Sequence, residues 1–471
     1  MNIKPSLYFL GLSCFPITLM SIINIFYCFY FKHLENINSY ILVIILTLII
    51  GFSLFFIGKK NKNKIDFYEE LFLLILVYFL ISFFISVPFY LSNYNISFLD
   101  SYFESMSGLT GTGFTIIDKI ENIDDPLILW RSSSQWIGGM YFLIFLVLIF
   151  SNKQINLKMI DLTFNLEKKI NFSSNLITVT NKIFFIYLSL TVLIFLAFLT
   201  SEIRLFDSLN LSMTVISSGG FLPTGSLNDI IKNEFQSLIL CFSFLLSILN
   251  FYLFYNFILA RDNLKEHKED IYIFILIISF SIIFYFINNL NLSSVFINVL
   301  SSVGNSGIST SNVPANFTLY FIILTLIGGS VLSTTSGIKF LRIYILIKAF
   351  LMEMYRLVKP NVMINTKIMF SEKKINSENI KISFLVFIFF FLSLFILSSI
   401  LLNDFLDFEN SFKLSILTLT NTAASNIYGI EDIKFTNLFT FSKISLIFFM
   451  IIAKIEMLAI FILFRKIFLK N

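Results

Sequence analysis

Two long apolar runs, at about 68–90 and 127–150, are separated by Ser107-Gly108-Leu109-Thr110-Gly111-Thr112-Gly113-Phe114-Thr115, a glycine- and threonine-rich stretch that belongs to neither. In hydrocarbon every backbone N–H and C=O must be satisfied within the protein, so non-helical backbone at that depth is confined to places buried in protein or lining a cavity. Gly111 and Gly113 free the chain to take left-handed angles. Such angles let successive carbonyls face inward on a dehydrated cation in place of its water shell. An ordinary surface turn is the competing reading of the nonapeptide taken alone.

Recurrence favours the first reading. Similar stretches return as Ser217-Ser218-Gly219-Gly220-Phe221, as Gly304-Asn305-Ser306-Gly307-Ile308 and as Thr420-Asn421-Thr422-Ala423-Ala424. The four copies lie roughly a hundred residues apart, enough for two membrane helices and a short helix in each, and repetition at that spacing implies quasi-symmetric units sharing one axis. The candidate ion-contacting residues are Thr112 and Gly113; Ser218, Gly219 and Gly220; Ser306 and Gly307; and Asn421, Thr422 and Ala423.

Composition sets the environment. Hydrophobic residues make up 57% of the 471-residue chain and charged residues 13%, with a mean hydropathy of +0.85, against about 25% charged in a typical soluble domain. The expected fold class is an all-α membrane protein: two leading transmembrane helices in residues 1–64, then four helix–pore loop–helix repeats at 65–160, 161–265, 266–370 and 371–471 around one central pore. The leading helices fall at about 7–31 and 39–58. Each repeat has an outer helix, a short helix before its glycine-rich stretch and a returning helix: about 68–90, 99–109 and 127–150; about 182–201, 205–216 and 235–259; about 271–288, 292–303 and from 317; and about 380–402, 410–420 and 436–464. The longest polar stretch, about 355–379, is too short to hold a core of its own. The run after Lys4 is too long for a signal peptide and is expected to remain as the first span. Cys14, Cys28 and Cys241 all fall in apolar runs without metal-ligand spacing, so no disulfide framework is implied.

Charge gives an independent orientation, because Lys and Arg accumulate in cytoplasmic loops. With both termini cytoplasmic, the inner segments carry Lys4, Lys59 to Lys64, Lys153 to Lys182, Arg261 to Lys268, the basic run from Lys339 to Lys381, and Arg465 to Lys470. Acids such as Glu35, Asp100, Glu104, Asp118, Glu121, Asp124 and Asp125 fall on the outer side, where they would concentrate cations before the pore. The net charge of +5 therefore reflects membrane anchoring and implies no nucleic-acid partner.

Three further stretches resemble one family. Leu129-Trp130-Arg131-Ser132-Ser133-Ser134-Gln135-Trp136-Ile137-Gly138-Gly139-Met140 is similar to the W-R-x-x-x-Q-W-x-G-G-M/L signature of the Trk/Ktr/HKT superfamily of potassium transporters. Ile327-Gly328-Gly329-Ser330-Val331-Leu332-Ser333-Thr334-Thr335-Ser336-Gly337-Ile338-Lys339 resembles that family's G-G-x-x-G-S-T-x-G-G-I-K stretch, and Ala453-Lys454-Ile455-Glu456 its G-R-x-E. The two leading helices make the bacterial Trk-type membrane subunit the best match. The resemblance implies K+ uptake across the bacterial cytoplasmic (inner) membrane, with K+ held at the four glycine-rich stretches as a selectivity filter. It implies an intramembrane gate built from Gly329, Ser333, Thr334, Thr335, Ser336, Gly337 and Lys339, with Lys454 at the family's pore-facing arginine. It also implies a homodimer working with a cytoplasmic, TrkA-like, nucleotide-binding regulatory subunit, no nucleotide site or other cofactor being encoded in this chain.

By its composition, the Gly328–Lys339 run breaks an otherwise long apolar helix at mid-bilayer, since Gly, Ser and Thr unwind helices by entropy and side-chain competition. Lys454 sits well inside an apolar helix, where an ionisable group points to function; pairing with Glu456 or snorkelling toward water is the alternative. Ser336 and Leu332 replace family glycines and are expected to stiffen the loop. Ala423 replaces the fourth filter glycine, and its Cβ would penalise a left-handed backbone. This leaves Na+ as the rival ion and a non-transporting scaffold as a rival role, with channel-like flux and coupling to H+ or Na+ both open. An enzyme is disfavoured: His33 and His267 fall in loops, and no span carries paired carboxylates or a nucleophile motif.

Overall fold

The computed structural model describes residues 3–61, 67–151, 176–255, 268–288, 291–310, 317–359, 366–369, 374–430 and 433–455. Expectations placed on Lys62, Lys64, Lys153 to Lys169, Arg261, Lys265, His267, Glu456 and Arg465 to Lys470 lie outside the described residues.

Six described helices are long and apolar enough to cross a membrane: Lys4–Phe31, Leu34–Gly58, Tyr68–Tyr90, Thr180–Thr200, Glu269–Ile287 and Ser377–Asp404. They are the two leading spans and the first helix of each repeat. The returning helices are less regular. Asp125–Ser151 carries the polar Trp130–Met140 signature, Glu234–Ile248 stops short and resumes as Phe251–Tyr255, and Thr318–Ile327 is separated from Phe340–Val358 by the Gly328–Lys339 loop. The fourth, Thr440–Ile455, runs to the edge of the described residues.

The first span is itself divided at Cys14, between Ile3–Ser13 and Phe15–Phe31, where Pro16 cannot donate a backbone hydrogen bond. It packs tightly on Ile37–Gly58. A Cβ on Gly11 would stand 2.6 Å from Gly51 O, and the Thr18 and Thr47 hydroxyls meet at 2.8 Å. Small residues that admit close backbone approach, with hydroxyls bridging the helices, are the usual means of helix association where lipid offers no hydrophobic driving force.

The short helices, Phe98–Thr110, Leu205–Ile216, Leu292–Val303 and Phe408–Thr420, fill the centre. Each packs on the outer and returning helices of its own repeat, and each returning helix also packs on the short helix of the next repeat. The fourth returning helix closes the circle against Phe98–Thr110. The polarity is inside-out: Ser101, Glu104, Ser107, Thr110, Asn210, Asn298, Ser301 and Thr418 are buried, while Leu19, Phe26, Ile49, Phe56, Leu196, Phe286 and Phe395 are exposed. That distribution suits a bundle whose outer solvent is lipid and whose axis must carry polar groups.

Candidate functional site

Each short helix ends in one residue with left-handed backbone: Gly111 (φ 75°), Ser218 (φ 56°), Asn305 (φ 57°) and Asn421 (φ 47°). The following residues fold back on the last helical turn, through the N–H groups of Gly113 to Ser107 O, Gly219 to Thr214 O, Ser306 to Ser301 O and Thr422 to Leu417 O. This is the closing geometry of a helix C-terminus, where a left-handed residue lets later N–H groups satisfy the last carbonyls. The second, third and fourth stretches close identically, one residue past the left-handed position, and the first closes one residue later, through Gly113.

Two positions further on, the repeats meet. A Cβ on Gly113 would stand 2.8 Å from the Ala423 Cβ and 3.1 Å from the Gly220 Cα, and one on Gly307 would stand 2.8 Å from the Ala423 N. A Cβ on Gly220 would overlap both the Ala423 methyl and Ser306 O. The four aligned stretches therefore converge on one point. The expectation that Ala423 strains the backbone is corrected here. Gly113 (φ 74°) and Gly307 (φ 68°) are left-handed, whereas Gly220 and Ala423 are not. Alternate repeats adopt different angles, so the fourth position accepts a Cβ without left-handed strain. Its methyl instead takes space beside Gly113 and Gly220.

Side chains brace this ring. Asn421 Nδ2 donates to Thr110 O (3.1 Å) and Met450 O (3.2 Å), and Asn305 Nδ2 donates to Thr325 O (2.9 Å) and Thr422 Oγ1 (3.2 Å). Arg131 Nε donates to Glu104 Oε1 at 2.9 Å, both side chains being essentially inaccessible. The same carboxylate accepts from Thr115 Oγ1 (3.0 Å) and the Ile116 N–H (2.9 Å). The Arg131 guanidinium also lies 4.1 Å from the Phe221 ring centroid, coupling the first stretch to the second. Glu104 is thus an internal tie, not a charge of an open vestibule. Asp124 is likewise buried, accepting from Asn36 Nδ2 and Tyr94 OH, and Asp100 pairs with Lys443 at 2.6 Å.

Against the ring packs the Gly328–Lys339 loop, with left-handed backbone at Gly328 (φ 62°), Gly337 (φ 79°) and Lys339 (φ 75°). Leu332 and Ser336, expected to stiffen the loop, are not left-handed. The Lys339 ammonium lies among Ser330 O (3.3 Å), Ser333 O (3.4 Å), Ser333 Oγ (3.2 Å), Thr335 O (2.5 Å) and Thr335 Oγ1 (3.2 Å). These are more acceptors than its three protons, so one ammonium closes the loop on itself. Thr335 Oγ1 accepts from the Gly329 N–H at 3.0 Å, and the Ser218 and Thr334 hydroxyls meet at 2.8 Å, joining the loop to the second stretch. Lys454, buried, directs its ammonium at Thr334 O and Ser336 Oγ (3.4 Å each) and over the Phe142 ring at 4.4 Å. A Cβ on Gly111 would stand 3.6 Å from that ammonium. Lys454 therefore lies between the loop and the first stretch, turned inward. A cavity lined by Phe142, Ser336, Lys339, Arg342, Leu419 and Lys454 adjoins it.

A family model described as TrkH, cation transport protein, matches residues 36–275 and 290–470. The chain belongs to the TrkH cation transport protein family. It is 26% identical over 399 residues to an uncharacterized cation transporter of Methanocaldococcus jannaschii, covering 84% of this chain and 82% of that one. It is also 26% identical over 441 residues to the Trk system potassium uptake protein TrkH of Escherichia coli K12, covering 89% and 90%. The crystal structure of the potassium transporter TrkH from Vibrio parahaemolyticus superposes with a TM-score of 0.85 at 20% identity, covering 98% of both chains, which establishes the fold. The TrkH family is one of ion transporters, not enzymes.

In this TrkH-family chain the structure brings Gly113, Gly220, Gly307 and Ala423 together, with Thr112, Ser218, Gly219, Ser306, Asn421 and Thr422 immediately beside them, and sets Ser333, Thr334, Thr335, Ser336 and Lys339 in one loop that touches the second stretch. Sequence reasoning missed Asn305 as a brace, although Gly111, Ser218, Asn305 and Asn421 share one offset from the converging residues. It also missed the helix break at Leu249 and Asn250, where no glycine or proline signals a stop.

Proposed function

We propose that this chain takes up K+ across the bacterial cytoplasmic membrane, with Thr112, Gly113, Ser218, Gly219, Gly220, Ser306, Gly307, Asn421, Thr422 and Ala423 as the selectivity filter. The observation that carries the reading is the convergence of four left-handed helix ends on one axial point above a folded-back loop. Inward backbone carbonyls at such a point replace the hydration shell of a cation. The names of relatives such as the Trk system potassium uptake protein of Escherichia coli supply the ion. Gly329, Ser333 to Gly337 and Lys339 act as the gate, with Lys454 as its charged restraint. The repeats divide at 65–160, 161–265, 266–370 and 371–471 after a leading pair in 1–64, and both termini are cytoplasmic. The working unit is a homodimer with a cytoplasmic, nucleotide-binding, TrkA-like regulatory subunit docking on the basic segment between Lys339 and Lys381, through its exposed charges Arg356, Lys359, Lys367, Lys374 and Lys381, since Lys339 and Arg342 are buried.

Expression with its regulatory partner in a cell lacking its own potassium uptake should restore growth at low K+. Absence of growth despite confirmed membrane insertion would overturn the reading. A Na+-permeable or non-selective transporter is the second reading, and the Ala423 methyl at the convergence point is what favours it. Flux that follows a membrane potential without H+ or Na+ gradients would mark channel-like transport; dependence on either gradient would mark symport.

A further inference from the structure

Three segments meet where the second returning helix breaks. Ile248 O accepts from the Ser330 N–H (3.1 Å), the Phe251 N–H donates to Leu332 O (2.7 Å), and the Asn250 N–H donates to Asp270 Oδ1 (2.9 Å). The break and the Gly328–Lys339 loop thus hold each other open as non-helical backbone, and the first turn of Lys268–Asn288 is tied to both. Glu269, beside Asp270 in that turn, is 2% exposed, and neither of its carboxylate oxygens accepts a hydrogen bond. The Val331 N–H faces it without closing a hydrogen bond of normal geometry. An ionised carboxylate deprived of water and of donors is among the costliest groups a membrane protein can bury.

A bound cation would relieve that cost in one of two forms. A metal ion needs several oxygens arranged around it, and among the described residues no group of three or more metal-ligating His, Cys, Asp or Glu side chains occurs. A proton needs one oxygen and no cage. We propose that Glu269 is a proton-binding site that controls the intramembrane loop, an inference that rests on the reading of Gly328–Lys339 as a gate.

Among the described residues, the charged groups whose fields act on Glu269 are Asp270 on its own helix and Lys339 at the end of the loop. From the segment after the break, Tyr252 packs with Val331 and Leu332 in the same apolar cluster, against which Tyr272 of the Glu269 helix also packs. Lys339 is the group through which the site acts. With Glu269 neutral, its ammonium stays among Ser330 O, Ser333 O and Thr335 O and keeps the loop folded. When Glu269 loses its proton, the bare carboxylate becomes a stronger partner for that ammonium than neutral carbonyls. Drawing Lys339 away removes the charge that holds the loop carbonyls together, and the loop loosens beneath the four converging stretches.

The test uses the full chain in liposomes, as wild type, Glu269→Gln and Glu269→Asp, with Rb+ flux and infrared absorption followed over a pH series. Wild type should show a protonated-carboxyl carbonyl band that disappears as pH rises, with flux rising over the same interval. Glu269→Gln should lack the band and hold flux at the acid-side value at every pH. Glu269→Asp keeps a carboxyl, and should shift the band while retaining the pH dependence. A wild-type spectrum without such a band, or a band and pH profile unchanged by Glu269→Gln, overturns the proposal. Lys339→Met, which removes the ammonium that Glu269 draws away, should keep the Glu269 band and lose the pH dependence of flux. A titrating Glu269 band with flux that stays flat in wild type overturns the control of the loop by Glu269.

Discussion

Gly113 of the first repeat and Ala423 of the fourth meet at the centre of the bundle so closely that a Cβ on the glycine would stand 2.8 Å from the Cβ of the alanine. Gly113 is left-handed and its partner is not, so the two sequence-equivalent positions are not conformationally equivalent. Only one of them tolerates a side chain. The difference decides what substitution does at each.

Gly113→Ser is expected to collapse K+ over Na+ discrimination. The new Cβ meets both the Ala423 methyl and the Gly220 backbone, and a left-handed non-glycine residue adds roughly 1–2 kcal/mol of strain. Ala423→Gly removes the methyl from the same point and should sharpen discrimination. Permeability ratios measured for the parent and both variants decide it: a ratio unmoved by Gly113→Ser means that ions do not pass this point.

The Glu104–Arg131 pair should act as a structural tie. Removing one member of a buried ion pair leaves the other charge unpaired, a loss of about 3–5 kcal/mol, whereas replacing both by apolar residues is far milder. Arg131→Leu should therefore lower the unfolding temperature in detergent strongly, and Glu104→Leu combined with Arg131→Leu should recover part of it. Equal losses for the single and double variants would show that the pair carries no coupling.

Asn421 tests the bracing of the ring. Asn421→Gly keeps the left-handed angle and loses the two hydrogen bonds to Thr110 O and Met450 O, a change of about 1–3 kcal/mol if those carbonyls find no water. Asn421→Ala loses the bonds and strains the backbone as well, so its unfolding temperature should fall further than that of the glycine variant. The reverse order would place the contribution of Asn421 elsewhere.

Lys454→Gln should increase flux or loosen gating. When charged, an ammonium at about 4 Å from a permeating cation repels it by about 4 kcal/mol at an effective dielectric of 20. Lys454→Arg keeps the charge and should stay near wild type. Rb+ uptake by all three forms, with and without the regulatory subunit, reads this directly, and identical rates would remove Lys454 from the ion path.

The orientation is tested by cysteine labelling from one side of the membrane. Positions 118, 119, 121 and 122 should react from outside and positions 367 and 369 only after permeabilisation. Reaction of both from the same side would invert or break the proposed topology.

Much of this molecule was legible in the chain because two of its signals are local. Apolar runs must form helices in lipid, since nothing else there satisfies the backbone. The short helices Leu205–Ile216 and Leu292–Val303 begin and end where their apolar patterns do, and the glycine-rich stretches stand where those helices stop. The left-handed turns at Gly111 and Gly113 likewise follow from glycine itself.

Other features depend on which distant surfaces touch. Glu104 reads as one more acid near a membrane surface until Arg131, on the returning helix, is packed against it and both are closed off from water. Asn250 ends a helix without any breaker because the Gly328–Lys339 loop competes for the carbonyl of Ile248 and the N–H of Phe251. Ala423 escapes backbone strain only because four nearly equal repeats close as two alternating pairs. Sequence by itself determined the membrane helices, their fourfold repetition and the residues able to bend between them, because lipid and backbone sterics act residue by residue. The tertiary structure alone decided which buried charges are paired, where the second helix breaks and which of the four equivalent positions has room for a methyl, because those outcomes are set by contacts between segments far apart in the chain.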